Sequence, residues 1–316
     1  MTPPASIPSF HWCYVTATLI DQYHIRPLVS YHYLQSGGSR HGKTLAEWFE
    51  KNYDGGRPDL FLDSGAYSVS QNMAPVNLDR YIAWLHDNAH ESTVYAGLDV
   101  IGDHVQTAEN QRIMEAAGLT PLPCFHVGEP WPVLEAMLEK YDYVALGGMV
   151  PHARDANLGP WIARAFDYAA RSRHRGNAVY HGFGMTNSRY AMRHHFRSID
   201  SSKPSSCVRF GHLLLWSERQ AKWQAVYYHK PRTWARHVPD IRAHGLDPAW
   251  FTDAASATRF RRLNASGAAI MAFEAALMQR HATGDSHAGT RVYLADTAPA
   301  NFRGYEEGAR LWTAVQ

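Results

Sequence analysis

Short apolar runs alternate with amphipathic stretches along most of this chain, and that rhythm limits the fold more than any other feature. Eight runs read as strands: CYVTATL (13–19), DLFL (59–62), TVYAGL (93–98), TPLPCF (120–125), YVALG (143–147), NAVYHGF (177–183), FRSI (196–199) and VRFGHLLL (208–215). Between them, residues 78–90, 104–118, 130–141 and 159–173 read as helices. Tyr81, Ile82, Leu85 and Ala89 fall near helical spacing, Gly118 is a C-terminal stop, and Pro160 sits in a first turn. Strands alternating with helices make a parallel sheet with right-handed crossovers. Eight units over roughly 220 residues suit a (β/α)8 TIM-type barrel. The rival is an open doubly wound sheet, but no Gly-x-Gly-x-x-Gly follows an early strand.

After residue 216 the pattern changes. WSERQAKWQAVYYHKPRTWARHV is basic and aromatic, and residues 256–282 read as a long, interrupted helix. The expected organisation is a catalytic barrel over 1–216. A basic-aromatic and helical extension over 217–316 packs on it without forming an independent domain.

Composition narrows the class. Lys and Arg number 31 against 29 Asp and Glu, so the formal charge is +2 and the chain is not polybasic. A hydrophobic fraction of 45% excludes a disordered chain. The N-terminal MTPPASIPSFHW has no basic segment leading an apolar core, and no apolar run approaches the ~20 residues of a membrane span. The expectation is a cytoplasmic protein without a membrane partner. Cys13, Cys124 and Cys207 lie far apart, which excludes a disulfide framework and a four-thiolate zinc site. The histidines, including those of HGF (181–183) and HHF (194–196), show no metal-ligand spacing, so neither metal nor cofactor is expected.

Polar residues recur at strand ends: Asp63, Asp99, His126, Gly147 and Gly148, His181, and Asp200. In a barrel of this type those ends converge on one face, where active sites are built. An Asp after a strand is equally at home as a helix N-cap or turn former, and Asp103 reads as a cap. Recurrence at strand after strand favours a reaction centre. Paired carboxylates suit glycosidic chemistry, in which one stabilises or attacks the anomeric carbon and another group manages the proton.

The order of LFLDSGAYSV, GLDVIGD, PLPCFHVGEPW, YVALGG, HGFGMTN and SIDSS, covering about residues 12–216, resembles the tRNA-guanine transglycosylase superfamily. It is most similar to the short, phage-type, DpdA-like branch, which exchanges guanine in DNA for a 7-deazaguanine such as 7-cyano-7-deazaguanine or a derivative. The resemblance implies that Asp200 is the nucleophile attacking C1′ and Asp63 the general acid/base. It implies a purine pocket of Asp99, Ser64, Tyr67, His126, Gly147, Gly148 and His181. Ala66 stands where the family has a second glycine. The tRNA enzymes carry a Cys-x-Cys-x-x-Cys group with a distant His for zinc. This chain lacks it, so DNA is the expected partner and tRNA the alternative. A free 7-deazaguanine base is the second substrate.

Basic residues gather late in the chain. Arg189, Arg193, Arg197 and Lys203 flank the proposed nucleophile, and Lys222, Lys230, Arg232 and Arg236 are interleaved with aromatics. RFRRLN (259–264) adds three arginines. Such residues meet phosphates and stack on bases, or they form a solvated helix face. In a duplex the target base would have to be extrahelical. Alternatives of other classes are a barrel that binds nucleic acid without turnover and a base-releasing hydrolase.

Overall fold

The computed structural model describes residues 24–32, 59–67, 75–89, 94–171, 178–185, 187–227, 230, 235–253, 255–281, 289–296 and 301–316. The strands are β1 (Arg26–Ser30), β2 (Phe61–Asp63), β3 (Val94–Tyr95), β4 (Cys124–His126), β5 (Tyr143–Gly147), β6 (Val179–Gly182), β7 (Ser198–Ser201), β8 (Leu213–Ser217), β9 (Lys222–Val226) and β10 (Arg291–Ala295). The helices are α1 (Leu78–Asn88), α2 (His104–Ala116), α3 (Trp131–Lys140), α4 (Leu158–Arg171), α5 (Ser188–Ala191), α6 (Lys203–Arg209), α7 (Val238–Ala243), α8 (Arg259–His281) and α9 (Phe302–Thr313).

Eight strands form one curled sheet in the order β3-β2-β1-β10-β7-β6-β5-β4, flanked by helices. Every paired neighbour within it is parallel. The residue after β3 also meets the segment that leads into β4. Ala96 and Leu122 form a parallel bridge, with the Gly97 N–H donating to the Leu122 carbonyl at 3.0 Å and the Leu122 N–H to the Tyr95 carbonyl at 2.8 Å. Because all eight strands run one way, their C-terminal ends share one rim.

The strands read as apolar runs because both faces are covered. Alternation sorts them. Leu28, Phe61, Val94, Ala96, Leu122, Cys124, Ala145 and Tyr293 pack together on the inner face. Val29, Leu62, Tyr95, Phe125, Val144, Leu146, Tyr180, Ile199, Val292 and Leu294 pack outward against the helices. Asn77 and Asp103 cap α1 and α2, their side chains each accepting a backbone N–H at 2.9 Å.

Three expectations need correction. Val208–Leu215 is not one strand of the main sheet. Gly211, at φ 73°, separates the end of α6 from β8, and β8 pairs antiparallel with β9 in a two-stranded sheet. Two strands of the main sheet are absent from the sequence-based expectation. In β1, Pro27 interrupts the strand pattern, but pairing to β2 begins only at Leu28, so its missing N–H breaks no bond there. In β10, residues 291–295 lie inside the expected extension yet sit between β1 and β7, so a boundary at residue 216 cuts the sheet. The expected strand at 13–19 lies outside the described residues. Among these residues no helix is long and apolar enough to cross a membrane.

The C-terminal helices are tied to the strand starts by buried charge. Arg26 on β1 donates to Glu274 of α8 at 2.5 Å, and Glu274 also accepts the Val292 N–H at 2.7 Å. Asp59 accepts from Arg291 at 2.6 Å and from the Tyr293 hydroxyl at 2.8 Å. Removing Arg26 costs about 3–5 kcal/mol because the Glu274 carboxylate is left buried without its cation.

Helix α8 is continuous from Arg259 to His281 rather than interrupted. Its Gly267 serves a close crossing with α9. A Cβ there would overlap the Tyr305 carbonyl, and one on Gly308 of α9 would overlap the Asn264 carbonyl. Overpacking against backbone costs about 1–3 kcal/mol, and the helix propensity of alanine returns about 1 kcal/mol. With a backbone oxygen only 1.9 Å from that Cβ the clash lies at the upper end of this range, so Gly267→Ala is expected to lower the unfolding free energy in urea by about 1–2 kcal/mol. An unchanged or raised midpoint would contradict the crossing.

Candidate active site

Inner-face alternation carries from the apolar layer to the rim. Phe61 points in, so Asp63 does; Cys124 points in, so His126 does; Ala145 is followed by Gly147, and Ser198 by Asp200. Asp99 follows the Ala96 bridge by three residues and joins the same rim.

Asp63 is held in a turn, its Oδ2 accepting the Gly65 N–H at 3.1 Å, with Gly65 at φ 91°. Burial pushes its carboxyl up to about 7, and the nearby charges of Asp99 and Asp200 add to that. Asp99 is anchored by two groups. The Ser64 hydroxyl donates to Oδ1 at 3.2 Å, and His126 Nε2 lies 2.7 Å from Oδ2. His126 is fixed in turn by Glu129, which accepts its backbone N–H at 3.0 Å and faces its Nδ1 at 2.9 Å. Burial alone would lower His126. The contacts with Cys124, Asp99 and Glu129 outweigh it and hold the ring well above its ordinary value. Its two ring nitrogens thus face two carboxyl groups, Glu129 at Nδ1 and Asp99 at Nε2. Burial pushes the Cys124 thiol up to about 11, and its Sγ lies 3.5 Å from His126 Nε2. The donor atoms of Asp99, Cys124 and His126 all lie within 4.8 Å of one another, the one such metal-capable group among the described residues.

Asp200 is buried at the end of β7. Its Oδ1 accepts the Gly184 N–H at 2.8 Å and lies 3.4 Å from His181 Nε2. Burial keeps His181 below its ordinary value, although Asp200 pulls the other way. Its Nδ1 lies 2.6 Å from the Ser198 hydroxyl, which Tyr143 contacts in turn at 2.5 Å, and its ring stacks on Phe61 at 4.5 Å. The histidine is thus locked on three sides beside Asp200.

The expected residues do not all converge. Asp63, Ser64, Asp99, His126, His181 and Asp200 do. Gly147 belongs with them for packing: a Cβ there would stand 2.6 Å from Cys124 Sγ and 2.8 Å from His126 Cδ2, and its carbonyl already accepts the Val127 N–H at 3.2 Å. Gly148 takes the left-handed turn that follows, at φ 69°. Tyr67 is exposed just past the Asp63 turn. Cys124, Glu129, Ser198 and Tyr143 join the site without having been expected there. Cys124 and Ser198 sit two residues before expected inner-face residues, a signal that strand alternation carries.

Among the basic residues, Lys203 opens α6 directly after β7 and is exposed at the carboxylate rim. Arg259 reaches that end too, donating to Asn301, which donates to Asp296 at the end of β10. Arg197 needs correction. It precedes β7, and its carbonyl accepts the Arg291 N–H at 3.1 Å, placing it at the strand end opposite Asp200. The chain must descend the height of the sheet between the end of β6 and the start of β7, so proximity to Asp200 in sequence is not proximity in space. Arg193 lies on that descent, just beyond the end of α5 at Ala191, while Arg189 is exposed on α5 itself. Lys222, Lys230 and Arg236 are exposed on and beyond β9, and Arg232 lies outside the described residues.

Comparison with known protein families, curated proteins and solved structures finds no match.

The raised Asp63 has a stability consequence with a definite sign. An unfolded Asp ionises near 3.8 while folded Asp63 keeps its proton to about 7, so the folded state binds more protons in that window and stability falls as pH rises through it. Asp63→Asn is expected to flatten that fall in urea midpoints measured across the window. A variant whose pH dependence equals that of the wild type would place Asp63 outside the shared field.

Proposed function

We propose that the protein is a pentosyltransferase that exchanges guanine in DNA for a 7-deazaguanine through a covalent Asp200–nucleotide intermediate. The observation that carries this reading is the convergence of three carboxyl groups on one rim, each with different hydrogen-bond partners. On this reading the curled sheet is a closed (β/α)8 barrel, joined through the Ala96–Leu122 bridge.

Asp200, oriented by the Gly184 N–H, attacks C1′ as the bond to the purine breaks. Asp63, protonated up to about 7, gives its proton to the departing base. The same carboxylate then takes a proton from the incoming 7-deazaguanine as that base displaces Asp200 from C1′. Two displacements at one carbon retain configuration. Asp99, held by Ser64 and His126, keeps lone pairs for the purine N1–H and exocyclic amine. Tyr67 stacks on the base, and Lys203 and Arg259 meet the backbone phosphates.

Labelled guanine supplied with DNA or, in parallel, with tRNA tests the reading. Wild type is expected to label DNA, and Asp200→Ala to lose at least about 10,000-fold in rate. Equal labelling by Asp200→Ala would remove the nucleophile, labelling of tRNA alone would move the substrate, and guanine release without incorporation would make the protein a hydrolase.

A further inference from the structure

We propose that Asp99, Cys124 and His126 form a binding site for one divalent cation of the zinc class, with Glu129 as the residue that orients the histidine. The inference goes beyond base exchange and does not rest on it, because its readout is metal uptake.

The donors are already near the required spacing. A tetrahedral ion with bonds of about 2.3 Å to sulfur and about 2.0 Å to nitrogen holds those two atoms about 3.5 Å apart. Cys124 Sγ and His126 Nε2 are 3.5 Å apart. The Asp99 Oδ2 to His126 Nε2 distance of 2.7 Å needs to open by only about 0.6 Å to become the edge of such a tetrahedron. Glu129 supplies the outer partner that metal-bound histidines commonly have, a carboxylate on the other ring nitrogen. It is pinned by the His126 N–H, so the ring cannot swing away without losing two contacts.

Two further observations fit an ion at this point. Gly147 keeps the space beside Sγ and the imidazole free of any side chain, since a Cβ would collide with both. Ser64 holds the opposite oxygen of Asp99, leaving Oδ2 directed at the other two donors. On binding, the ion displaces the protons of Cys124 Sγ and His126 Nε2 to solvent, and the resulting thiolate, imidazole and single carboxylate favour zinc over magnesium or calcium, which prefer oxygen donors. Three protein donors leave the fourth position of the ion for water or a ligand atom, the pattern of reactive rather than purely structural zinc. The donor set differs in its residues from the Cys-x-Cys-x-x-Cys cluster of the tRNA enzymes.

Cobalt(II) titration of metal-stripped full-length protein reads the site. Wild type is expected to take up one equivalent with a thiolate-to-cobalt charge-transfer band in the near ultraviolet, and zinc to displace it. Cys124→Ser is expected to lose the band and Cys207→Ser to keep it, while Glu129→Gln weakens binding about 10–100-fold. Absence of saturable uptake by wild type, or a band unchanged in Cys124→Ser, overturns the proposal. X-ray absorption of zinc-loaded wild type needs no variant: one sulfur at about 2.3 Å supports the site, and a shell of nitrogen and oxygen alone overturns it.

Discussion

A parallel strand covered on both faces has no solvent side, and that constraint organises everything else here. Inner-face positions before the strand end are apolar or, like Ser198, have their polar atoms paired inside the protein. Phe61, Cys124 and Ala145 obey this, and the next inner positions, Asp63, His126 and Gly147, are where polar chemistry and close backbone approach begin. The site is the place where the pleat runs out of core. Helices α8 and α9 belong to the same construction, since Glu274 and Glu306 neutralise or cap groups at the strand starts and β10 completes the row between β1 and β7.

Crowding carboxylates at one rim is costly, and each is stabilised in a different way. Asp99 is paired with His126 Nε2 at 2.7 Å, and Glu129 holds the other ring nitrogen at 2.9 Å. Asp200 takes a backbone N–H and lies against a His181 that burial holds below its ordinary value. Asp63 accepts a backbone N–H in its turn, and burial, with the field of the other two added, keeps its proton on to about 7. That separation of roles among like groups is how one site can hold an acid and a nucleophile together. The same arrangement that steadies Asp99 also brings a thiol within reach of it, which is why one rim supports both a base-exchange reading and a metal site.

The carboxylate rim was legible in the sequence because strand ends are marked by the step from apolar to polar residues, and Asp63, Asp99 and Asp200 each stand at such a step. The cap role of Asp103 was legible for a similar local reason. Long-range placement was not. TRVYLA is a good strand in a tail without period, and only pairing with β1 and β7 explains its burial. Arg197 is close to Asp200 along the chain yet lies at the far end of the strand. Cys124 and His126 form a C-x-H pair on one inner face, but a search for neighbouring cysteines passes over a donor group completed by Asp99 from the loop beyond β3.

The central claim is that the inward carboxyl groups share one electrostatic field, and the ionisation of Asp63 reads it directly. A carboxyl titration by 13C NMR, assigned with Asp63→Asn, is predicted to place Asp63 near 7 in the wild type and lower once Asp99 is changed to Asn. Ionisation of Asp63 at the ordinary value of 3.8, indifferent to Asp99, would contradict the shared site and the chemistry built on it.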